Sequence, residues 1–320
     1  MKGILRFVVA CTALTVPLHT PAQTAGQTTI VVPFPAGGSL DVLARITAQK
    51  LAEQTKEAYI VDNRPGANGI IGAKMVGKSK PDGKTWLFSD GAAMTVNPFL
   101  YPRDPDFSAE KDLRVLRALA FQPLVLVVNA KSPVKTLREF VAATKTGDVN
   151  YASAGVGSSS HLTMAYFGSQ AGNIKLTHVP YKGGPQVLNA LVAGEVDAGF
   201  IVLPNVLPYI KQGVLRPLAV SSAKRSTYLP DVPTMIELGY TGFEVENRHF
   251  AWLPAGTPDD IVKKVNAALA AALADPAVVE KFYAAYLEPA SEGEAASRQW
   301  LLADRDKWAK VIRDHQIKGD

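Results

Sequence analysis

Residues 28–41, TTIVVPFPAGGSLD, decide the fold, because a β-branched run passes through two glycines into the start of a helix. Gly37 and Gly38 favour a tight turn, and Ser39 has the chemistry of an N-cap. Backbone N–H groups at a helix start have no partner within the helix, and the helix dipole favours negative charge there. The loop therefore predicts a carboxylate or phosphate site, with a plain strand-to-helix turn as the alternative.

Outward from this loop, short β-rich runs alternate with helical periodicity, which is the pattern of parallel α/β sheets. The first set of predicted elements is strand 28–33, helix 39–55, strand 58–62, helix 70–78 and strand 85–89. The second set is helix 136–146, strand 149–154, a helix from about 160, strand 176–179, helix 184–193 and strands 196–202 and 215–221. Extended runs at 123–129 and 243–253 link the sets, and predicted helices at 257 onward, 276–286 and 291–315 end the chain. This order predicts two lobes joined by two crossing strands.

The first 25 residues indicate the compartment. Lys2 and Arg6 precede an apolar run from Phe7 to Leu18, and small residues follow, which is typical of a secretory signal peptide. The run is too short for a membrane anchor. The only cysteine, Cys11, lies in this segment, so the remaining chain offers no disulfide, thiol nucleophile or thiolate metal site.

Composition excludes several classes of protein. About 295 residues remain after residues 1–25, and the apolar fraction of 47% is enough for two well-buried cores. Loss of Lys2 and Arg6 lowers the formal charge from +5 to +3, because 32 basic residues then face 29 acidic ones. The basic residues are scattered, so we expect no nucleic-acid partner.

A second glycine-rich strand-to-helix loop lies in the second set, at residues 154–161, AGVGSSSH. Its hydroxyls and backbone N–H groups predict another anion or polar-ligand site, although one serine could simply cap the helix. Facing each other across a cleft, the two loops could hold the two ends of a small dianion, or one carboxylate from both sides.

Several motifs, in order along the chain, resemble the substrate-binding proteins of tripartite tricarboxylate transporters, the Bug family. They are VPFPAGGS at 32–39 with Asp41 and Arg45, VDNRPGA at 61–67, PDG at 81–83, GVGS at 155–158 with SHL at 160–162, VPYKG at 179–183 and LPAGTP at 253–258. The resemblance implies an α/β fold of the two-lobed periplasmic binding protein type, a Venus flytrap with two crossover strands. It also implies a monomer without cofactor or metal that closes on a small carboxylate and delivers it to membrane permease subunits.

The order of the predicted elements gives the boundaries, and the resemblance implies the site residues. Residues 1–25 would be the signal peptide, 26–124 with 246–320 the first lobe, and 125–245 the second. The expected ligand-binding residues are Phe34, Pro35, Ala36, Gly37, Gly38, Ser39, Ser89, Asp90, Gly157, Ser158, Ser159, Ser160, His161 and Tyr181. A structural role explains Asp41 and Arg45 without any ligand, because they are spaced for an i,i+4 pair in the first helical turn.

Two departures from the family pattern bear on the ligand. After Asp197 the chain has no acidic residue near Ile201, which disfavours an amino-acid ligand and offers Ile201 as an apolar wall. Arg248 lies where the family commonly has tryptophan, and we expect either a bidentate clamp for a second carboxylate or a pair with Glu244 or Glu246. The first case favours a dicarboxylate, and an aromatic or aliphatic acid is the other expectation.

Two further classes of protein remain to be weighed. Ser158 to His161 invites a hydrolase interpretation, but Gly-x-Ser-x-Gly is absent and adjacent Ser and His residues do not make a triad. The histidines lack metal-ligand spacing such as His-Glu-x-x-His, so we expect neither an enzyme nor a metal site. A binding protein that signals to a membrane sensor would have the same cleft, and only its partner would distinguish it.

Overall fold

The computed structural model describes residues 26–101, 105–172 and 174–319, so the predicted signal peptide lies outside the described residues. The strands are β1 (Gln27–Val32), β2 (Ala58–Asn63), β3 (Thr85–Asp90), β4 (Leu113–Asn129), β5 (Val149–Ser153), β6 (Leu176–Pro180), β7 (Ala198–Val202), β8 (Leu215–Val220), β9 (Glu246–Pro254) and β10 (Glu288–Pro289). The helices are α1 (Ser39–Thr55), α2 (Ile70–Gly77), α3 (Ala92–Thr95), α4 (Asn97–Leu100), α5 (Ala109–Asp112), α6 (Leu137–Thr146), α7 (Ser159–Gln170), α8 (Gly184–Ala193), α9 (Leu203–Lys211), α10 (Asp259–Leu273), α11 (Pro276–Ala284) and α12 (Glu294–Asp314).

The strands form one continuous hydrogen-bonded order, β2-β1-β3-β9-β4-β7-β5-β6, and β8 and β10 also pair with β4. We call β2, β1, β3, β9, β10 and the first part of β4 the first half-sheet. The second half-sheet contains the rest of β4 with β7, β8, β5 and β6. Parallel pairs β1–β2, β1–β3 and β5–β6 lie within the halves, while β9 and β4 run antiparallel to their neighbours.

Strand β4 changes partners along its length, and this change joins the two halves. Its residues from Leu113 to Pro123 pair with β9, and those from Leu124 to Asn129 pair with β7 and β8. The change falls at Pro123, which has no N–H to donate to a ladder. The carboxyl ends of β1 and β3 therefore lie towards the same junction as the carboxyl ends of β5, β6 and β7.

Ser221 holds the two crossing segments together at this junction. Its buried hydroxyl accepts a hydrogen bond from the Leu124 N–H and donates one to the Val245 carbonyl. The backbone N–H of Ser221 also donates to the Leu124 carbonyl, and the Val245 N–H donates to the Ser221 carbonyl. One serine thus satisfies polar backbone groups of both segments that connect the half-sheets.

Packing joins the halves at a second place. The hydrophobic core on one face of the second half-sheet includes Phe167 and Phe200, and it also takes in Leu100 from α4 and Trp308 from α12. The carboxyl-terminal part of α12 therefore packs with the second half, although its amino-terminal part packs with the first through Leu301. The boundary expected from sequence, with 246–320 in the first lobe, agrees with the arrangement of the strands. Helix α12 does not follow it, because its carboxyl-terminal part packs with the second half.

Three of the differences from the sequence predictions have a physical cause in the structure. Strand β4 begins at Leu113, ten residues before the predicted run, because Arg114 and Arg117 interrupt its apolar pattern while their guanidinium groups bond neighbouring elements. Helix α9 was not anticipated, since Pro208 lies inside it. Helix α10 begins at Asp259 rather than at 257, because the Thr257 hydroxyl donates to the Pro254 carbonyl and Pro258 takes the N-cap position.

We expect Ser221→Ala to destabilise the protein by about 1–3 kcal/mol, because it leaves the buried Leu124 N–H without an acceptor. Urea unfolding of residues 26–320 measures the loss. Ser79→Ala is the matched control, since the Ser79 hydroxyl donates to the Val76 carbonyl at a partly exposed helix end where water can replace it. Equal losses in both variants would contradict the role assigned to Ser221.

Candidate functional site

The loop after β1 exposes several backbone N–H groups at the start of α1. Pro35, Ala36 and Gly37 are exposed, Phe34 is half-buried, and Gly37 has the positive φ of 84° that a glycine permits. Gly38 takes the N-cap position in extended geometry, so the prediction that Ser39 caps the helix is wrong and Ser39 is its first residue. The N–H groups of Gly38, Ser39 and Leu40 have no acceptor among the described residues.

The Asp41 carboxylate holds this loop in place through hydrogen bonds. Its buried carboxylate accepts hydrogen bonds from the Gly37 N–H at 2.9 Å, the Arg45 guanidinium at 3.0 Å and the Asn63 amide at 3.1 Å. Asn63 also donates to the Phe34 carbonyl, so β2 fixes both ends of the turn. Burial raises the pKa of Asp41, but the three hydrogen bonds outweigh it and the pKa is lowered. The structural role expected for Asp41 and Arg45 matches this geometry.

The loop after β5 has the same arrangement at the start of α7. Ser158 is the N-cap, and its hydroxyl accepts from the His161 N–H and donates to the Gly155 carbonyl. The Ser160 hydroxyl accepts from the Ala154 N–H and is buried. The N–H groups of Ser159 and Ser160, and the hydroxyl of Ser159, have no hydrogen-bond partner among the described residues. The serines therefore divide into two that brace the loop and one that can face a ligand.

His161 lies in a stack of rings that sequence reasoning missed. Its ring packs on His178 with centroids 3.8 Å apart, and His178 packs on Tyr151. His161 Nδ1 accepts a hydrogen bond from the Gly157 N–H, so a neutral ring carries its proton on Nε2. Burial, with the nearby His178 and His315 charges, lowers the pKa of His161 to about 3. The β5–β6 register, which pairs Tyr151 with His178, was the missing signal.

Helix α4 links the second loop to the first half-sheet. It lies after α3, which follows the end of β3, and its Leu100 packs so closely on Gly157 that a Cβ there would overlap the leucine side chain. Gly157 also has a φ of 73°, which favours glycine. The second loop thus contacts an element of the first half, beside the carboxyl edge on which the first loop lies.

Ser89 and Asp90 end β3 at this edge. The Ser89 hydroxyl is buried without a hydrogen-bond partner among the described residues. Asp90 is half-buried and accepts from the Ala92 N–H. Burial raises the pKa of Asp90 to about 6, and the negative charge of Asp304 adds to this effect.

Tyr181 lies next to the second loop, whereas Ile201 lies in a hydrophobic core. Tyr181 follows β6, is half-buried, and its N–H donates to the Ser153 carbonyl next to the second loop. Ile201 is buried in the core that β4 shares with α8 and α9, where it pairs with Val125. Because aliphatic neighbours enclose its side chain, Ile201 is not part of the site that we propose.

Arg248 is not the free clamp that the sequence allowed. Its guanidinium donates to Glu246 at 2.6 Å and to Glu292 at 2.7 Å, and it stacks over the rings of Trp300 and Phe121. The alternative pairing with Glu246 is therefore the one observed, and Glu292 from the segment before α12 completes it. Two protein carboxylates already occupy the donors that would have held a second ligand carboxylate.

The described residues also form two surface grooves, which do not include the residues of either loop. Their volumes are about 450 and 620 Å³. The first is lined by residues that include Phe99, Ile312 and Ile317, and the second by Leu137, Val141 and Leu238. Within the described ranges, no helix is long and apolar enough to cross a bilayer, and no three His, Cys, Asp or Glu side chains gather as metal ligands would.

Sheet order, crossing strands and paired loops define a solute-binding protein of the periplasmic two-lobed class. The profile of the family described as "Tripartite tricarboxylate transporter family receptor" matches residues 43–317, and the chain belongs to this family. BugT of Bordetella pertussis is 35% identical over 322 residues, covering 99% of this chain and 98% of BugT. The resemblance drawn from the sequence motifs is confirmed.

Solved structures show the same fold. The periplasmic binding protein BugD is 31% identical with a TM-score of 0.74, and the match covers 92% of this chain and 99% of BugD. An R. palustris protein solved with adipate is 30% identical, with a TM-score of 0.78 and coverage of 92% and 98%. MatC from Rhodopseudomonas palustris, solved with malate, is 28% identical, with a TM-score of 0.73 and coverage of 89% and 98%. The two-lobed α/β expectation is confirmed, and the family consists of solute-binding proteins rather than enzymes.

We expect Asp41→Asn to cost about 1 kcal/mol of unfolding free energy at neutral pH, because the exposed Arg45 loses its anionic partner and the Gly37 N–H a charged acceptor. The folded-state pKa of Asp41 is lowered, so its contribution is present above the unfolded pKa and disappears as pH falls through the folded pKa. Urea unfolding from pH 7 to pH 3 should show the gap between wild type and variant closing in the acid range. Asp148→Asn, which removes an exposed partner of Lys175, should show little gap at any pH; a pH-independent gap for Asp41→Asn would contradict the assignment.

Proposed function

We propose that this protein is exported by a signal peptide in residues 1–25, captures a small organic carboxylate between its two loops and delivers it to a tripartite tricarboxylate-type permease. The observation that carries the proposal is the pairing of two helix starts, each with unpartnered backbone N–H groups, at one junction of the sheet. Family membership and the carboxylates bound by two solved relatives support the ligand class.

The N–H groups at the start of α1 and α7 suit a carboxylate for electrostatic reasons. Each helix start carries a partial positive charge, and N–H groups directed at an anion form stronger hydrogen bonds than they form with neutral acceptors. Ser39 and Ser159 occupy the same first helical position in their helices. A single carboxylate held from both sides, or the two ends of one ligand, would use them together.

His161 contributes a neutral donor to this site. Its low pKa keeps the imidazole uncharged at neutral pH, and the proton on Nε2 is available because Nδ1 is engaged by Gly157. A neutral donor attracts a carboxylate without requiring a buried cation to be desolvated when the site is empty. Ser158 and Ser160 hold the loop in shape, and Tyr181 borders it on the β6 side.

Closure would follow from these contacts. We propose residues 26–124 with 246–320 as the first lobe and 125–245 as the second, with the carboxyl-terminal part of α12 accompanying the second. The hinge would be the paired crossing segments near Pro123 and Val245, which Ser221 ties together. A ligand that bridges both loops makes contacts only in the closed state, so it shifts the population towards closure. We expect the protein to act as a monomer.

A membrane sensor in place of a permease is the second candidate partner. The cleft chemistry would be the same in both cases, and the family description favours the transporter. Binding of the purified protein to membranes that contain the permease subunits, with and without ligand, separates the two.

Two proline substitutions test the role of the backbone N–H groups. Proline is favourable at the first helical position, where its fixed φ fits, and it removes a single N–H. Gly38 and Ser158 have the extended geometry that a residue before proline adopts. We expect Ser39→Pro and Ser159→Pro each to weaken carboxylate binding about tenfold or more in calorimetric titrations, because each removes a hydrogen bond to a charged group.

Ser39→Ala and Ser159→Ala are the matched controls, since they remove the hydroxyls and keep the N–H groups. The titrations use residues 26–320, refolded to remove carried-over ligand, and a panel of mono-, di- and tricarboxylates and aromatic acids. Equal affinity in the alanine and proline variants would exclude the N–H groups as the anion site. Failure of every carboxylate to bind the folded wild type would overturn the proposed function.

A further inference from the structure

Polar side chains without partners lie at the carboxyl edge of the first half-sheet. His249 is 3% exposed and Gln122 is fully buried. Neither ring nitrogen of His249 and neither amide atom of Gln122 has a hydrogen-bond partner among the described residues. Buried polar atoms nearly always have partners in native proteins, so this position calls for a polar group that comes from outside the chain.

The sheet register places these side chains beside the first loop. Helix α1 packs on the sheet face that carries Phe88, Ala251 and Ala120. Side chains two residues apart on a strand lie on the same face, so this face continues towards the carboxyl edge through the next alternate residues. These are Asp90, His249 and Gln122, which we call the edge triad. Asp90 and His249 are direct cross-strand partners, and His249 pairs in turn with Ala120. The edge triad therefore lies along the face on which α1 packs, at the end where its free N–H groups point.

The charge of the edge triad limits what it can receive. Burial lowers the pKa of His249 to about 4, so its ring is neutral at physiological pH. Gln122 is uncharged, and Asp90 is the only ionisable anion of the three. Arg248 is next to His249 on β9, so its side chain lies on the opposite face of the sheet. There its guanidinium forms ion pairs with Glu246 and Glu292. A second carboxylate here would meet the Asp90 charge without a cation to balance it.

We infer that the edge triad is a second subsite, which receives a hydroxyl carried by the same small carboxylate. This inference rests on the proposed function, because the carboxylate must be held by the N–H groups of α1. A hydroxyl both donates and accepts, which matches the donors and acceptors that His249, Gln122 and Asp90 present together. The ligand class is thus a hydroxy monocarboxylate rather than a simple dicarboxylate.

Acids that share one carboxylate and differ elsewhere test the subsite. The panel is butanoate, its 2-, 3- and 4-hydroxy derivatives and succinate, with hexanoate, 6-hydroxyhexanoate and adipate as a longer series. We expect at least one hydroxy acid to bind wild type about tenfold more tightly than both the unsubstituted acid and the dicarboxylate of its series. A site built to pair with a hydroxyl discriminates strongly against ligands that lack one, because its own polar groups then stay unpaired.

His249→Phe separates this subsite from the anion site. We expect the variant to bind the unsubstituted acid as wild type does and to lose the preference for the hydroxy acid, while His249→Gln keeps part of it. Without ligand, His249→Phe should unfold at the same or a higher temperature, since it removes two buried atoms that lack partners. His249→Gln is the matched control, because it keeps hydrogen-bonding atoms at this position.

The outcomes distinguish the two proposals. Binding of unsubstituted acids with no gain from any hydroxyl, or tightest binding of dicarboxylates with His249→Phe unaffected, overturns the subsite and leaves the carboxylate site intact. Binding of none of these acids by the folded wild type overturns both. A hydroxyl preference that His249→Phe abolishes and His249→Gln keeps in part supports the subsite.

Discussion

The antiparallel ladder between β4 and β9 is the constraint on which the rest of this structure depends. It spans Leu113 to Pro123 of β4, and beyond Pro123 the same strand becomes the centre of the other half-sheet. Because the parallel strands of each half end towards this junction, the helices that follow them start there too. Ligand sites in open α/β sheets lie outside the carboxyl ends of the strands, and here two such edges share one junction.

The charged side chains near the junction are paired within the protein. Arg248 is enclosed by two carboxylates and two aromatic rings, and Asp41 by three donors, so both charges are satisfied within the chain. The site that we propose therefore consists of backbone N–H groups, neutral imidazoles and an amide. Such donors bind an anion without the desolvation penalty of a buried cation, and the site is set by geometry rather than net charge.

Sequence patterns predicted most of the fold because local signals and tertiary structure agree. Helices α1 and α8 have the predicted bounds, since glycine turns and regular apolar spacing define their ends. The early start of β4 was missed because Arg114 and Arg117 resemble surface residues until their partners, which are more than 140 residues away, are known.

For the site, both loops could be found from sequence because each strand-to-helix turn carries its own glycines. The choice between the two expected roles of Arg248, and the roles of His178 and His249, could not, since cross-strand register and the Glu292 contact decide them. The N-cap of α1 is Gly38 and not the expected Ser39, because Gly38 adopts the extended geometry of an N-cap residue.

Capture between the two halves should shorten the distance between the flanks of the two loops when a carboxylate binds. Residues 26–320 contain no cysteine, so spin labels on cysteines introduced at the exposed Pro65 and Lys182 report one distance between the halves. We expect a bound carboxylate to narrow the distance distribution and shift it to shorter values, and Ser159→Pro to abolish the shift. A saturating carboxylate, with binding confirmed by calorimetry, that leaves the distribution unchanged would contradict capture between the two halves.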